Sequence, residues 1–168
     1  HEAQGMADQS RESAAVARTG MLIRRPVADV FAAFADPAIT SRFWFTRGSA
    51  ALAAGRRVTW SWEMYDASAD VLVTAFEPDH RIEIEWDGYG GRTRVGWTFA
   101  SLPEGTFVAI SESGWTGDAA ELLGYVREST GGFTWMLAGA KAWLEHGVQL
   151  NLVGDRFPRG PQDPYPVA

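Results

Sequence analysis

Alternation with a period of two dominates the middle of the chain. Val58, Trp60, Trp62 and Met64 alternate with Thr59, Ser61 and Glu63, Ile82, Ile84 and Trp86 with Arg81, Glu83 and Glu85, and Val95, Trp97 and Phe99 with Arg94, Gly96 and Thr98. This spacing gives each strand one apolar and one wet face, the pattern of antiparallel sheets covered on one side. Residues that face each other across an antiparallel pair share a face, so the apolar sets specify a register. Read without a bulge, the register sets Met64 against Val71 across a turn near Asp66. It sets Ala75 against Ile82 across Pro78-Asp79, and Ile84 against Val95 across the glycine-rich turn from Gly88 to Gly91. The last hairpin turns at Pro103 to Gly105 and pairs Phe99 with Val108, Trp97 with Ile110 and Val95 with Glu112. Glu112 therefore falls where the alternation requires a buried apolar side chain.

Helical spacing flanks the strands. Ser13 to Arg24 reads as a first strand ended by Pro26, which also presets the first turn of a helix. Val27, Val30, Phe31 and Phe34 mark that helix, and Asp36-Pro37 stops it because the residue before proline avoids the helical region. A second short helix is expected from Pro37 to about Phe43, with Trp44 at the edge of the core. Asp118 and Glu121 have capping-box spacing for a short helix through Tyr125. Gly131-Gly132 then reads as a chain reversal before a final helix. That helix carries an apolar stripe of Phe133, Met136, Leu137, Ala140, Trp143, Leu144 and Val148, and Gly147 ends it after His146. Such a helix needs a sheet to lie on.

Composition narrows the partners. A chain of 168 residues fits one domain and buries enough surface for a real core. A net charge of −6 with no basic run disfavours nucleic acid, whose binding depends on clustered Lys and Arg. Cysteine is absent, which removes disulfides, thiolate ligands and a cysteine nucleophile. No apolar run reaches 18 residues, so no membrane span is expected, and cytoplasm is the default location. Residues 1–12 read as a tag remnant, His1 to Gly5, and a flexible N-terminus; residues 13–152 as a single domain; residues 153–168 as a proline-rich tail. Whether Leu152, Val153 and Phe157 pack back on the body or on a second copy, as in a homodimer, is left open.

Most chemical candidates reduce to structure. His1, His80 and His146 lack partners at metal-ligand spacing, so no metal is expected. Ser111 and Ser113 alternate onto the outer face, as do Glu83, Glu85, Arg92 and Arg94, which read as a solvated charged face. The glycines at Gly88 to Gly91 serve a hairpin, and Gly131-Gly132 lacks the lysine of a phosphate loop. Glu112 is the exception. An inward carboxylate beside Val95, Trp97 and Ile110 must be hydrogen-bonded, paired or protonated. It reads as the polar anchor of a ligand pocket, as a general acid/base, or as a structural carboxylate bonded to neighbouring groups.

The order of elements resembles a known family. The phrases around Asp36-Pro37, Gly55-Arg56-Arg57-Val58, Arg81 to Trp86, Gly105 to Trp115 and Gly132 to Gly147 are similar to the AHSA1-like branch of the START/Bet v 1 superfamily (SRPBCC), over roughly Ala14 to Leu152. That resemblance implies an α+β helix-grip fold. Its curved antiparallel sheet of six or seven strands wraps around a long C-terminal helix, with two short helices after the first strand and a cavity between helix and sheet. Trp60, Trp62, Trp86, Val95, Trp97, Phe99, Ile110 and Glu112 on the sheet would line that space, with Phe133, Met136, Leu137 and Ala140 on the helix. Core packing is the competing role for the apolar ones. The expected function is binding of a small, mainly apolar molecule, without a cofactor, oriented by Glu112 and an indole N–H. Two alternatives stand beside it: a cyclase- or hydrolase-like enzyme using Glu112 as acid/base with help from Tyr125 or Tyr89, and a chaperone-interaction module.

Overall fold

The computed structural model describes residues 15–88 and 90–162. Chain order is β1 (Ala17–Ile23), α1 (Val27–Ala35), α2 (Pro37–Thr40), β2 (Arg47–Gly48), β3 (Arg57–Trp62), β4 (Ala67–Glu77), β5 (Arg81–Gly88), β6 (Gly91–Leu102), β7 (Gly105–Ser113), α3 (Ala119–His146) and α4 (Leu152–Arg156). The strands form one antiparallel sheet in the order β1-β7-β6-β5-β4-β3-β2. This is the helix-grip arrangement, with α3 gripped by a curved sheet. No helix among the described residues is long and apolar enough to cross a membrane.

The two pairings that matter most follow the alternation. Ile84 faces Val95 across β5 and β6, and Phe99, Trp97 and Val95 face Val108, Ile110 and Glu112 across β6 and β7. Two other pairings differ from the bulge-free reading. Glu63–Tyr65 form a 3₁₀ turn closed by Asp66 at φ 49°, so β3 ends at Trp62. Val58, not Met64, therefore faces Val71, and Met64 turns outward. In β4 a bulge between Val73 and Ala75 sets Ala75 against Glu83, and Phe76 against Ile82. A bulge inserts one residue and reverses the parity beyond it. Here it turns the larger Phe76 inward, where its ring meets Phe31 of α1 edge-on at 5.3 Å.

The helices start and stop as their caps dictate. Asp36 accepts the Ala38 N–H at the start of α2, with Pro37 in the first turn. The Asp118–Glu121 capping box opens α3, and Gly147 at φ 65° closes it. The capping bond from the Glu121 N–H holds the Asp118 carboxyl below its ordinary value.

The separate helix through Tyr125 and the reversal at Gly131-Gly132 are not present. One helix of 28 residues runs through both glycines, because burial of its stripe outweighs their low helix propensity. A Cβ at Gly132 would meet open space, whereas one at Gly139 would come within 3.2 Å of Phe43. Gly132→Ala is therefore expected to raise stability by about 1 kcal/mol in thermal unfolding, and Gly139→Ala to show none of that gain.

α3 runs beside β1 in the same direction. Thr134 Oγ1 meets Thr19 Oγ1 at 2.7 Å, Lys141 Nζ donates to the Leu22 carbonyl at 2.9 Å, and the Arg24 N–H donates to Glu145 at 3.0 Å. The steps from Thr19 to Arg24 along a strand and from Thr134 to Glu145 along a helix both cover about 16 Å, so the two rises stay in register. Burial pushes the Glu145 carboxyl up, but the hydrogen bond from Lys141, the Arg24 N–H and the charges of Lys141 and His146 outweigh it and hold it below its ordinary value. A lowered carboxyl stabilises the fold above its unfolded value of 4.5 and loses that contribution as pH falls through the folded value. The stability gap between wild type and Glu145→Gln is thus expected to be open at pH 7 and to close below pH 4.5 in urea titrations.

The wet face carries the expected ion pairs, Arg92 with Glu85 at 3.5 Å and Arg81 with Glu83 at 3.5 Å, each exposed and worth a few tenths of a kcal/mol. The segment after α3 packs back on the body. The Tyr65 hydroxyl donates to the Val153 carbonyl, and its ring meets Phe157 edge-on at 6.2 Å.

Candidate functional site

Glu112 lies on the concave face of β7, 3% exposed, between Ala17 of β1 and Val95 of β6. Three neutral donors reach it from three elements. Thr93 of β6 donates its hydroxyl to Oε2 at 2.5 Å, Trp86 of β5 donates its indole N–H to Oε2 at 2.9 Å, and Ser129 of α3 donates its hydroxyl to Oε1 at 2.6 Å. The Trp86 Nε1 also lies 3.1 Å from Thr93 Oγ1, so Thr93 accepts from the indole while donating to the carboxylate. Trp86 and Thr93 are a directly facing pair, which explains the contact. Among the described residues no cationic side chain pairs with Glu112. Hydrogen bonds therefore carry the tolerance of the buried carboxylate, each stronger for being made to a charged acceptor.

The aromatic residues fill the space between sheet and α3. Trp44 is their hub, with ring centres 4.9 to 6.1 Å from Phe45, Trp60, Trp62, Trp86, Trp97 and Phe133. Trp60 and Trp97 are 2% exposed, whereas Trp62 and Trp86 are half-buried at the rim. Val95, Ile110, Phe133, Met136, Leu137 and Ala140 are all buried on the facing surfaces. Phe99 is also buried but belongs elsewhere. Its ring packs 5.1 Å from Phe31 and 5.8 Å from Phe34, at the α1 end of the sheet. Two recesses open beyond the grip: a crevice of about 50 Å³ touching Phe43, Met64 and Leu150, and an open cleft of about 270 Å³ bounded by Glu85, Arg92, Arg94 and Ser113. Glu112 lines neither.

Two buried indole donors, Trp97 Nε1 and Trp115 Nε1, have no partner among the described residues. Trp97 faces Ile110 and Glu112 faces Val95, so Trp97 and Glu112 are diagonal neighbours on one face. Ser129 gives Glu112 Oε1 a single donor, and a carboxylate oxygen has a second lone pair. Among the described residues, Glu112 Oε1 thus has one hydrogen bond and Trp97 Nε1 has none.

Tyr125 sits one turn before Ser129 on α3, stacked on Trp115 at 6.2 Å and 23°. A Cβ at Gly90 would come within 2.5 Å of the Tyr125 ring, and Gly90 has φ 67°, so a larger residue there would strain the backbone and push the ring aside. Tyr89 lies outside the described residues. His80 and His146 are exposed, His146 in the last turn of α3, where a cation suits the helix dipole.

Sequence reasoning missed Trp44 as a hub, and Thr93 and Ser129 as partners of Glu112. Thr93 shares the parity of Val95, Trp97 and Phe99, and Ser129 lies four residues before Phe133 on the same helical face. Both signals were present in the sequence. The break placed at Gly131-Gly132 hid the second.

Comparison with known proteins places this architecture. The model of the Activator of Hsp90 ATPase homolog 1-like protein family matches residues 24–145. A crystal structure of a Staphylococcus saprophyticus protein is similar at 30% identity and a TM-score of 0.69, over 80% of this chain and 95% of that one. DynU16, a protein of the dynemicin biosynthetic locus, shares the fold at 23% identity and a TM-score of 0.70, over 80% of this chain and 48% of that one. The Aha1 dimer from Colwellia psychrerythraea shares it at 16% identity and a TM-score of 0.67, over 79% of this chain and 97% of that one. None of the curated proteins matches the chain. Since the family match spans well over half of its length, the chain belongs to the Activator of Hsp90 ATPase homolog 1-like family.

Proposed function

We propose that the protein binds a small, mainly apolar molecule between α3 and the concave face of the sheet, oriented by Glu112 and the Trp97 indole N–H. The observation that carries this reading is Trp97 Nε1, 2% exposed, without a partner among the described residues, and diagonal to a buried carboxylate that has no cation among them. A buried donor without a partner costs about 1–3 kcal/mol, a cost that a purely structural core avoids by using phenylalanine. A molecule with one acceptor for Trp97 and one donor for the Glu112 carboxylate would satisfy both groups, while its apolar body meets aromatic rings. That is the usual chemistry of small-molecule sites, in which a few placed polar groups orient a largely apolar ligand.

A library of small apolar molecules, screened by intrinsic tryptophan fluorescence and thermal shift, tests the proposal. A ligand of the grip raises the unfolding temperature by mass action. Glu112→Gln is expected to weaken it about tenfold, the effect of losing one charged acceptor. A library in which no member changes either signal, or a ligand indifferent to Glu112→Gln, would overturn the assignment.

A further inference from the structure

The rings that would surround such a ligand already touch one another, so a ligand must displace one of them. We propose that Trp86 is that ring: its indole plugs the site in the free protein, and the ligand is a planar aromatic with an N–H or O–H donor at one edge. This inference rests on the proposed function and specifies its ligand.

Trp86 differs from the other indoles of the cluster in joining the rim to the carboxylate. It is half-buried, yet its Nε1–H reaches Oε2 of Glu112 at 2.9 Å and Thr93 Oγ1 at 3.1 Å. Its ring stacks on Phe133 at 6.2 Å and 28°, with Trp44 at 6.0 Å and Trp60 at 6.1 Å on its other sides. The slot it fills therefore has aromatic walls and one polar end, and that end accepts hydrogen bonds from an N–H. Gly88, two residues on and on the same face, puts no side chain over this end. A Cβ there would lie 3.4 Å from Trp86 Nε1 and 3.6 Å from Glu112 Oε2. Trp60 and Trp97 are enclosed on all sides and have no comparable way out. Swinging the Trp86 side chain outward would empty an indole-sized slot, comparable with the cavities of about 150 Å³ that take up benzene. The vacated slot selects what its last occupant offered: a flat ring and one donor for Glu112 and Thr93.

A plug competes with the ligand, so apparent affinity falls by the fraction of molecules in which the slot is open. Removing the plug must then tighten binding, whereas removing a wall of the site would weaken it. Calorimetric titration with 1-naphthol and with naphthalene, which lacks the donor, separates the two cases. Trp86→Ala is expected to bind 1-naphthol at least tenfold more tightly than wild type, and at least tenfold more tightly than naphthalene. Adding Glu112→Leu to Trp86→Ala should abolish that preference. In wild type labelled with ¹⁵N-tryptophan and saturated with 1-naphthol, the Trp86 indole resonance, assigned with Trp86→Phe, should move as the N–H leaves the carboxylate. If Trp86→Ala does not fold, Trp86→Phe replaces it in the titration and should still bind more tightly than wild type, because its ring lacks the N–H that holds the plug. Equal or weaker binding by the folded variant, or an unmoved resonance at saturation, overturns the plug. A library ligand that still binds wild type in a Glu112-dependent manner would leave the proposed site standing. If no probe binds any of these proteins, both fall together.

Discussion

Trp97→Ala is expected to lower the unfolding free energy by about 3–5 kcal/mol in urea titration, among the largest losses available to a single substitution here. The indole is 2% exposed, faces Ile110 across β6 and β7, and has Trp44 and Phe133 at 6.1 Å on its concave side. Those neighbours belong to β7, the α2–β2 connection and α3, and cannot all collapse into the void. Trp97→Phe is expected to cost far less, about 1 kcal/mol or under. It loses volume but also removes the buried Nε1–H that has no partner, and that release offsets part of the lost packing. A Trp97→Phe variant as costly as Trp97→Ala would mean that the indole is needed for packing alone.

Glu112→Ala is expected to cost about 3–5 kcal/mol, because it leaves three donors facing an empty space instead of one acceptor. Thr93, Trp86 and Ser129 come from β6, β5 and α3, so no local rearrangement can pair them all with one another. Glu112→Gln should cost less, about 1–3 kcal/mol. Its carbonyl oxygen still accepts from Thr93 and Trp86, while its NH₂ meets Ser129, whose hydroxyl must turn from donor to acceptor. Urea titration of both variants checks the order.

The fold was legible where alternation was uninterrupted. β6 and β7 have matched apolar sets, a short turn and no bulge, so their parity carried Glu112 inside without reference to any family. The β3–β4 and β4–β5 pairings were not legible, for two physical reasons. Asp66 closes a 3₁₀ turn that takes Met64 out of its strand, and the bulge before Ala75 exchanges its place with Phe76 to fill the space against Phe31. Both are tertiary decisions that local periodicity does not record. Gly131-Gly132 misled for the same reason: helix propensity argued for a break, and the buried stripe from Ser129 to Ala140 outweighed it. Of the candidate site, the carboxylate and most of its apolar wall followed from strand parity and helix spacing. Its three donors did not, because the sheet's twist and the helix's rotation decide which hydroxyls reach the acid. Trp44 was placed at the edge because it follows a short helix, yet the chain returns it to the centre of the rings.

The buried Glu112 carboxylate ties sheet to helix inside the grip. A double-mutant cycle between Glu112→Ala and Ser129→Ala measures that tie directly, since the 2.6 Å bond joins β7 to α3 through these two side chains and alanine removes it from either side. The expected coupling is about 1–2 kcal/mol. Strictly additive losses, with a coupling within about 0.3 kcal/mol of zero, would mean that the carboxylate and the hydroxyl do not meet and that Glu112 does not tie β7 to α3.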